Sequence, residues 1–148
     1  MLQTKFLSAG SSQKEALKYT CEIVSKIFLK DNNYPDVDKI DIRCESANEA
    51  EELNELLWTY PEDVLLPHNL THKNPENVFV EIGYPGSAFG ENDKKMLVNW
   101  NQDLPNQISE YLYYYQLVIA DNSKLRERVA TTWQECKSMG LSPSFIDN

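Results

Sequence analysis

The chain has 148 residues, enough for one domain with a sizeable core, and its 41% hydrophobic and 25% charged residues exclude disorder, a coiled coil or a fibrous repeat. Acidic residues outnumber basic ones by 23 to 14, and the resulting net charge of −9 disfavours tight direct binding to nucleic acid. Cys21, Cys44 and Cys136 lie too far apart for a metal knuckle and suit a reducing cytoplasm, and no apolar run is long enough to predict a signal peptide or a membrane span.

Residues 4–9 read as an opening strand, and the Gly10-Ser11-Ser12 turn can cap a helix that begins near Gln13. Ala16, Thr20, Ile23, Val24, Ile27 and Phe28 recur at helical spacing as a buried stripe, while Lys14, Lys18, Lys26 and Lys30 fall on another face. Residues 39–44 alternate as a half-buried strand would. Ser46 and Glu49 then form a capping box ahead of Ala50, Leu53, Leu56 and Leu57, predicting a second helix that stops before Pro61.

Residues 78–82 are the clearest strand in the chain, residues 96–98 predict a shorter one, and helix is expected to resume from about Pro105. Residues 113–120 carry β-branched and aromatic side chains suited to a strand, after which Asn122 is positioned to cap a last helix running toward Gly140. This alternation predicts one α/β domain over residues 1–148: an open, mainly parallel sheet with helices on both faces.

Motifs for chemistry are sparse. The first strand-turn-helix lacks the glycines and the Gly-Lys-Ser/Thr ending of a phosphate-binding loop, so a structural turn is the better reading. His68 and His72 are spaced as a zinc pair on a helix would be, but Pro67 and Asn69 oppose a helix there and no cysteine clusters nearby, so no metal is expected. Both histidines fall in one loop, leaving no base for a nucleophile elsewhere and no catalytic residue to name. No cofactor is implied. The acidic run Glu49, Glu51, Glu52 and Glu55 reads as the solvated side of the second helix.

Two apolar groupings remain. Trp58, Tyr60, Pro61, Val64, Leu65, Leu66 and Pro67 crowd together after the second helix, and either they enter the core or Trp58 and Leu65 protrude as an anchor for a protein partner. On the last helix, Arg126 and Lys137 flank Trp133 with Ala130 between them, which suits an acidic peptide with a free carboxylate. The competing reading packs Leu125, Val129, Thr132 and Cys136 inward and leaves the cations to complement the helix dipole.

Cys44-Glu45 at a strand end, Leu57-Trp58, Pro61, the run Leu66-Pro67-His68-Asn69-Leu70, and Val80-Glu81-Ile82 followed by Pro85 together resemble the chi subunit family of bacterial DNA polymerase III across nearly the whole chain. That resemblance implies a mononucleotide-binding-like fold without a phosphate loop and a cytoplasmic, replisome-associated adaptor with no catalytic activity. It implies two partners. One is psi, which links chi to the clamp loader; a helicase-like repair protein is a second claimant for the same surface. The other is the acidic, Phe-ending tail of single-stranded-DNA-binding protein. Position by position, the psi anchor falls on Trp58 and Leu65, where relatives commonly have Trp and Phe, with Pro67 and His68 adjoining. The tail site falls on Ile119, Arg126, Ala130, Trp133 and Gln134, where relatives commonly present an aliphatic residue, Lys, Arg, Tyr and Lys. Ala130 and Gln134 are therefore neutral where a cation is usual, and Lys137, Arg128 or Lys14 is the available substitute. The alternative from fold class alone is a small α/β enzyme of nucleotide or phosphate metabolism.

Overall fold

The computed structural model describes residues 3–10, 12–62, 64–71, 78–100, 108–118, 123–141 and 143–146, with side chains described throughout these except at 109, 123–129, 145 and 146. Strand β1 (Gln3–Ser8) leads to helix α1 (Gln13–Phe28), strand β2 (Lys39–Arg43), helix α2 (Ala47–Leu57), and strands β3 (His68–Leu70), β4 (Val80–Gly83) and β5 (Lys95–Asn99). A single 3-10 turn (Ile108–Glu110) precedes strand β6 (Tyr113–Val118), helix α3 (Ser123–Ser138) and strand β7 (Ser144–Ile146). The strands form one sheet in the order β3-β4-β2-β5-β6-β1-β7, and every ladder is parallel.

The capping chemistry starts the first two helices where the sequence places it. Ser12 accepts from the Glu15 amide at 3.2 Å and Ser46 from the Glu49 amide at 3.3 Å, each satisfying one of the donors a helix start leaves open. The Glu49 carboxylate reaches back to the Glu45 amide at 2.8 Å. The buried stripe of α1 and the Ala50, Leu53 and Leu57 face of α2 cover one side of the sheet, meeting Ile40, Ile42, Val80, Ile82, Met96 and Val98. On the other side, α3 contributes Cys136 and Trp133 to a smaller cluster with Phe6, Leu97, Tyr111 and Tyr114.

Three expectations change. The strand at 39–44 is not half-buried: Lys39, Ile40, Asp41 and Ile42 are all buried, because β2 lies in the middle of the sheet and both of its faces are covered. His68 and Asn69 lie in β3, an edge strand too short to show a period, rather than in a loop. Ahead of β6, the described part of the helix expected from Pro105 is only the turn at Ile108–Glu110, while its start lies outside the described residues. Strand β7 has no counterpart among the predicted elements.

Candidate protein-docking site

The Trp58 surface is assembled by the way α2 ends. Trp58 takes the C-cap position, and the Thr59 and Tyr60 amides both return to the Leu56 carbonyl, at 3.0 and 2.9 Å. The chain then passes through a cis Tyr60-Pro61 peptide, and Leu66 turns inward as a buried anchor while Leu65, its neighbour, turns out. Trp58 is left 57% exposed and Leu65 80% exposed, and Pro67 is exposed beside them.

His68 is the shelf on which this surface rests. Only 4% exposed, it lies with its ring centroid 4.4 Å from that of the Trp58 indole. Its Nδ1 is 2.7 Å from the Leu66 carbonyl and its Nε2 is 2.9 Å from the carbonyl of Asn54, in the last turn of α2, where helical carbonyls lack partners of their own. Both ring nitrogens thus face carbonyl oxygens, and whichever nitrogen carries a proton pins the ring to its carbonyl. Of the predicted group, Trp58, Leu65 and Pro67 are each exposed, and the buried His68 ring lies against the Trp58 indole.

The predicted group on α3 is described in part. Ala130, Trp133, Gln134 and Lys137 follow helical spacing along one side of α3; Ala130, Gln134 and Lys137 are exposed and Trp133 is half-buried. Trp133 packs edge-on against Phe6, with centroids 4.9 Å apart, so only part of the indole is free. Thr132 and Cys136 turn inward, and burial pushes the Cys136 thiol up to about 11. Lys137 stands in the last turn, where the helix dipole favours a cation. Ile119, Asn122 and the side chains of Arg126 and Arg128 lie outside the described residues.

The turn after β1 is a poor phosphate cradle on electrostatic grounds. Gly10 adopts a φ of +98°, and a Cβ built there would lie 2.5 Å from Oε2 of Glu15, so a carboxylate already sits at the start of α1. His72 lies outside the described residues, and among the described ones no group of three metal-ligating side chains occurs.

A buried ionic cluster that no sequence motif marks lies within the sheet. Side-chain alternation sends Lys39 and Asp41 of β2, Glu81 of β4 and Lys95 of β5 to the same side of the sheet as Leu97. Lys39 lies 2.8 Å from Asp41 and 2.5 Å from Glu81, Lys95 lies 3.5 Å from Asp41, and the Tyr111 hydroxyl donates to Asp41 at 2.8 Å. Burial pushes the Asp41 carboxyl above its usual range, against the pull of Lys39, Tyr111 and Lys95, and burial with the Asp41 charge raises the Tyr111 phenol. The available signal was opposite charge two residues apart on one strand, Lys39 and Asp41, which also describes an ordinary solvent face.

A family model described as DNA polymerase III chi subunit, HolC, matches residues 1–144. No curated protein matches the chain. Among solved structures, a chain of the S. cerevisiae complex described as a Dbp5 variant bound to a Gle1 variant and IP6 is similar, with a TM-score of 0.65 and 8% identity. The match covers 99% of the present chain and 42% of that one, and at such identity the likeness is one of fold alone.

Proposed function

The chain belongs to the DNA polymerase III chi subunit family and is on that ground an accessory subunit of the polymerase; from this premise we propose that it is a non-catalytic adaptor joining two replication proteins. Psi, which links it to the clamp loader, docks on Trp58, Leu65 and Pro67, and a helicase-like repair protein competes for the same surface. The acidic, Phe-ending tail of single-stranded-DNA-binding protein docks on α3, with Ile119, Arg126, Ala130, Trp133, Gln134 and Lys137 as its contacts. The chain works as one domain, in the cytoplasm, without a cofactor.

One observation carries this reading: a tryptophan 57% exposed and a leucine 80% exposed stand seven residues apart after one helix, and the indole lies 4.4 Å from a buried histidine whose two ring nitrogens face the carbonyls of Leu66 and Asn54. An exposed indole resting against a fixed ring loses little conformational freedom on binding, which favours a docking role over a packing role. The acidic excess of the chain, 23 residues to 14, agrees with action on DNA through other proteins.

The tail half rests on α3. Lys137 supplies one exposed cation, the half-exposed Trp133 supplies an apolar wall, and the neutral Ala130 and Gln134 lower the local charge. Calorimetric titration with a synthetic tail peptide tests it. Heat should be released by the intact peptide, vanish when the terminal Phe is removed, and decline as salt rises. Absence of heat at high protein concentration, or binding indifferent to the Phe, would remove the tail from this account.

A further inference from the structure

A cavity of about 540 Å³ opens beside the amino-terminal ends of β2 and β4, and its chemistry is lopsided. Phe28 and Phe79 line it, packed edge to face with centroids 5.1 Å apart, together with Pro67. Asp38, Glu81 and Glu91 bring three carboxylates to the lining against the one ammonium of Lys39. That ammonium is engaged: it donates to Glu81 Oε1 at 2.5 Å and to the Gly90 carbonyl at 2.9 Å, and it is ion-paired with Asp41 Oδ1 at 2.8 Å.

Acceptors are left over. Glu81 is fully buried and its Oε1 also accepts from the Gly90 amide at 2.8 Å, yet its Oε2 takes no hydrogen bond from any described residue. A buried carboxylate oxygen without a donor is costly, and a lining of three carboxylates, two of them exposed at Asp38 and Glu91, against one engaged ammonium suits a cation rich in N–H groups. The aromatic walls narrow the choice. A guanidinium is planar, stacks on ring faces, sheds water more readily than an ammonium and carries five donors in a fixed fork. Phe79 already receives one cation in this manner, the Lys30 ammonium 5.8 Å from its centroid.

We propose that this cavity is the receptor for an arginine side chain of the partner that seats on Trp58 and Leu65. The proposal rests on the docking role assigned to that surface, and the two are continuous. Pro67 is exposed, lines the cavity, and directly precedes His68, whose ring bears the Trp58 indole. A partner segment lying across Pro67 therefore reaches the indole on one side and the carboxylates on the other.

The test separates the cavity from the partner. N-acetyl-arginine amide is titrated into the full, nitrogen-15-labelled chain, beside the citrulline amide, which keeps the shape and lacks the charge. Saturable shifts are expected at the Phe79, Gly90 and Asn92 amides with arginine and not with citrulline. The rim variant Asp38→Asn/Glu91→Gln, altering two exposed side chains, should weaken arginine by about fivefold, whereas Trp58→Ala should leave that titration unchanged. Equal shifts from citrulline, no saturable shift, or a rim variant that binds arginine as well as the parent would overturn the cavity assignment. Psi binding is then compared on the same variants. A fivefold loss on the rim variant is expected, and an unchanged affinity there would overturn the partner assignment even if arginine itself binds.

Discussion

Truncating Trp58 to alanine should separate binding from folding. The indole is 57% exposed in the free chain. A tryptophan side chain presents at most about 250 Å² to its surroundings, so roughly 140 Å² of Trp58 remains available for a partner to cover. At about 25 cal/mol per Å² that is roughly 3.5 kcal/mol, equivalent to about 300-fold in Kd. The cost to the fold is smaller, because within the free chain the indole packs at a tilt of 51° against the His68 ring, an aromatic pairing worth about 0.5 to 1.5 kcal/mol. Calorimetry with purified psi and urea unfolding of the free chain measure the two quantities on one preparation. Psi affinity within threefold of the parent would refute the docking role. A stability loss above about 3 kcal/mol would show that the indole is a core residue.

Leu65→Ala removes a side chain that is 80% exposed, so urea unfolding should shift by no more than about 0.5 kcal/mol while psi affinity falls by about tenfold in calorimetry. Lys39→Met leaves Asp41 and Glu81 buried with a partner missing and should cost about 3 to 5 kcal/mol in urea unfolding. Burial raises the Cys21 thiol to about 12 and the Cys136 thiol to about 11, so both should resist alkylation at pH 8 in the folded chain and react after unfolding. The same shifts set the alkaline limit. With folded values above the unfolded value of 9.0, the thiols favour the fold fully below pH 9, and stability should decline as pH rises from there toward 11 and 12, by up to roughly 1.4 kcal/mol per pH unit for each thiol. Lys137→Ala should weaken the tail peptide by about two- to fivefold at low salt and by less at high salt, since an exposed cation is readily screened.

Local chemistry accounts for what could be read in advance. Ser12 and Ser46 start the two helices they were expected to cap, and the apolar stripes of α1 and α2 meet the sheet as their spacing requires. Such signals act over a few residues and survive tertiary context. Lys39, Asp41 and Glu81 were hidden because their burial is decided by strand order, and β2 sits between β4 and β5 although β3 and β4 follow it in the chain. The three-residue strand at His68 forms by pairing with β4, a distant partner in sequence, and no local pattern announces it. For the docking surface, the residues were legible and their exposure was not. Leu65 and Leu66 are identical side chains on consecutive residues, and only the fold puts one at 80% exposure and the other at 2%.

The most direct measurement captures psi on immobilised single-stranded-DNA-binding protein, with and without this chain. Psi should be retained only when the chain is added, and released both by Trp58→Ala in the chain and by deleting the terminal Phe of the immobilised tail. Retention of psi that ignores the chain, or that survives both changes, would contradict a bridge with two separate docking faces.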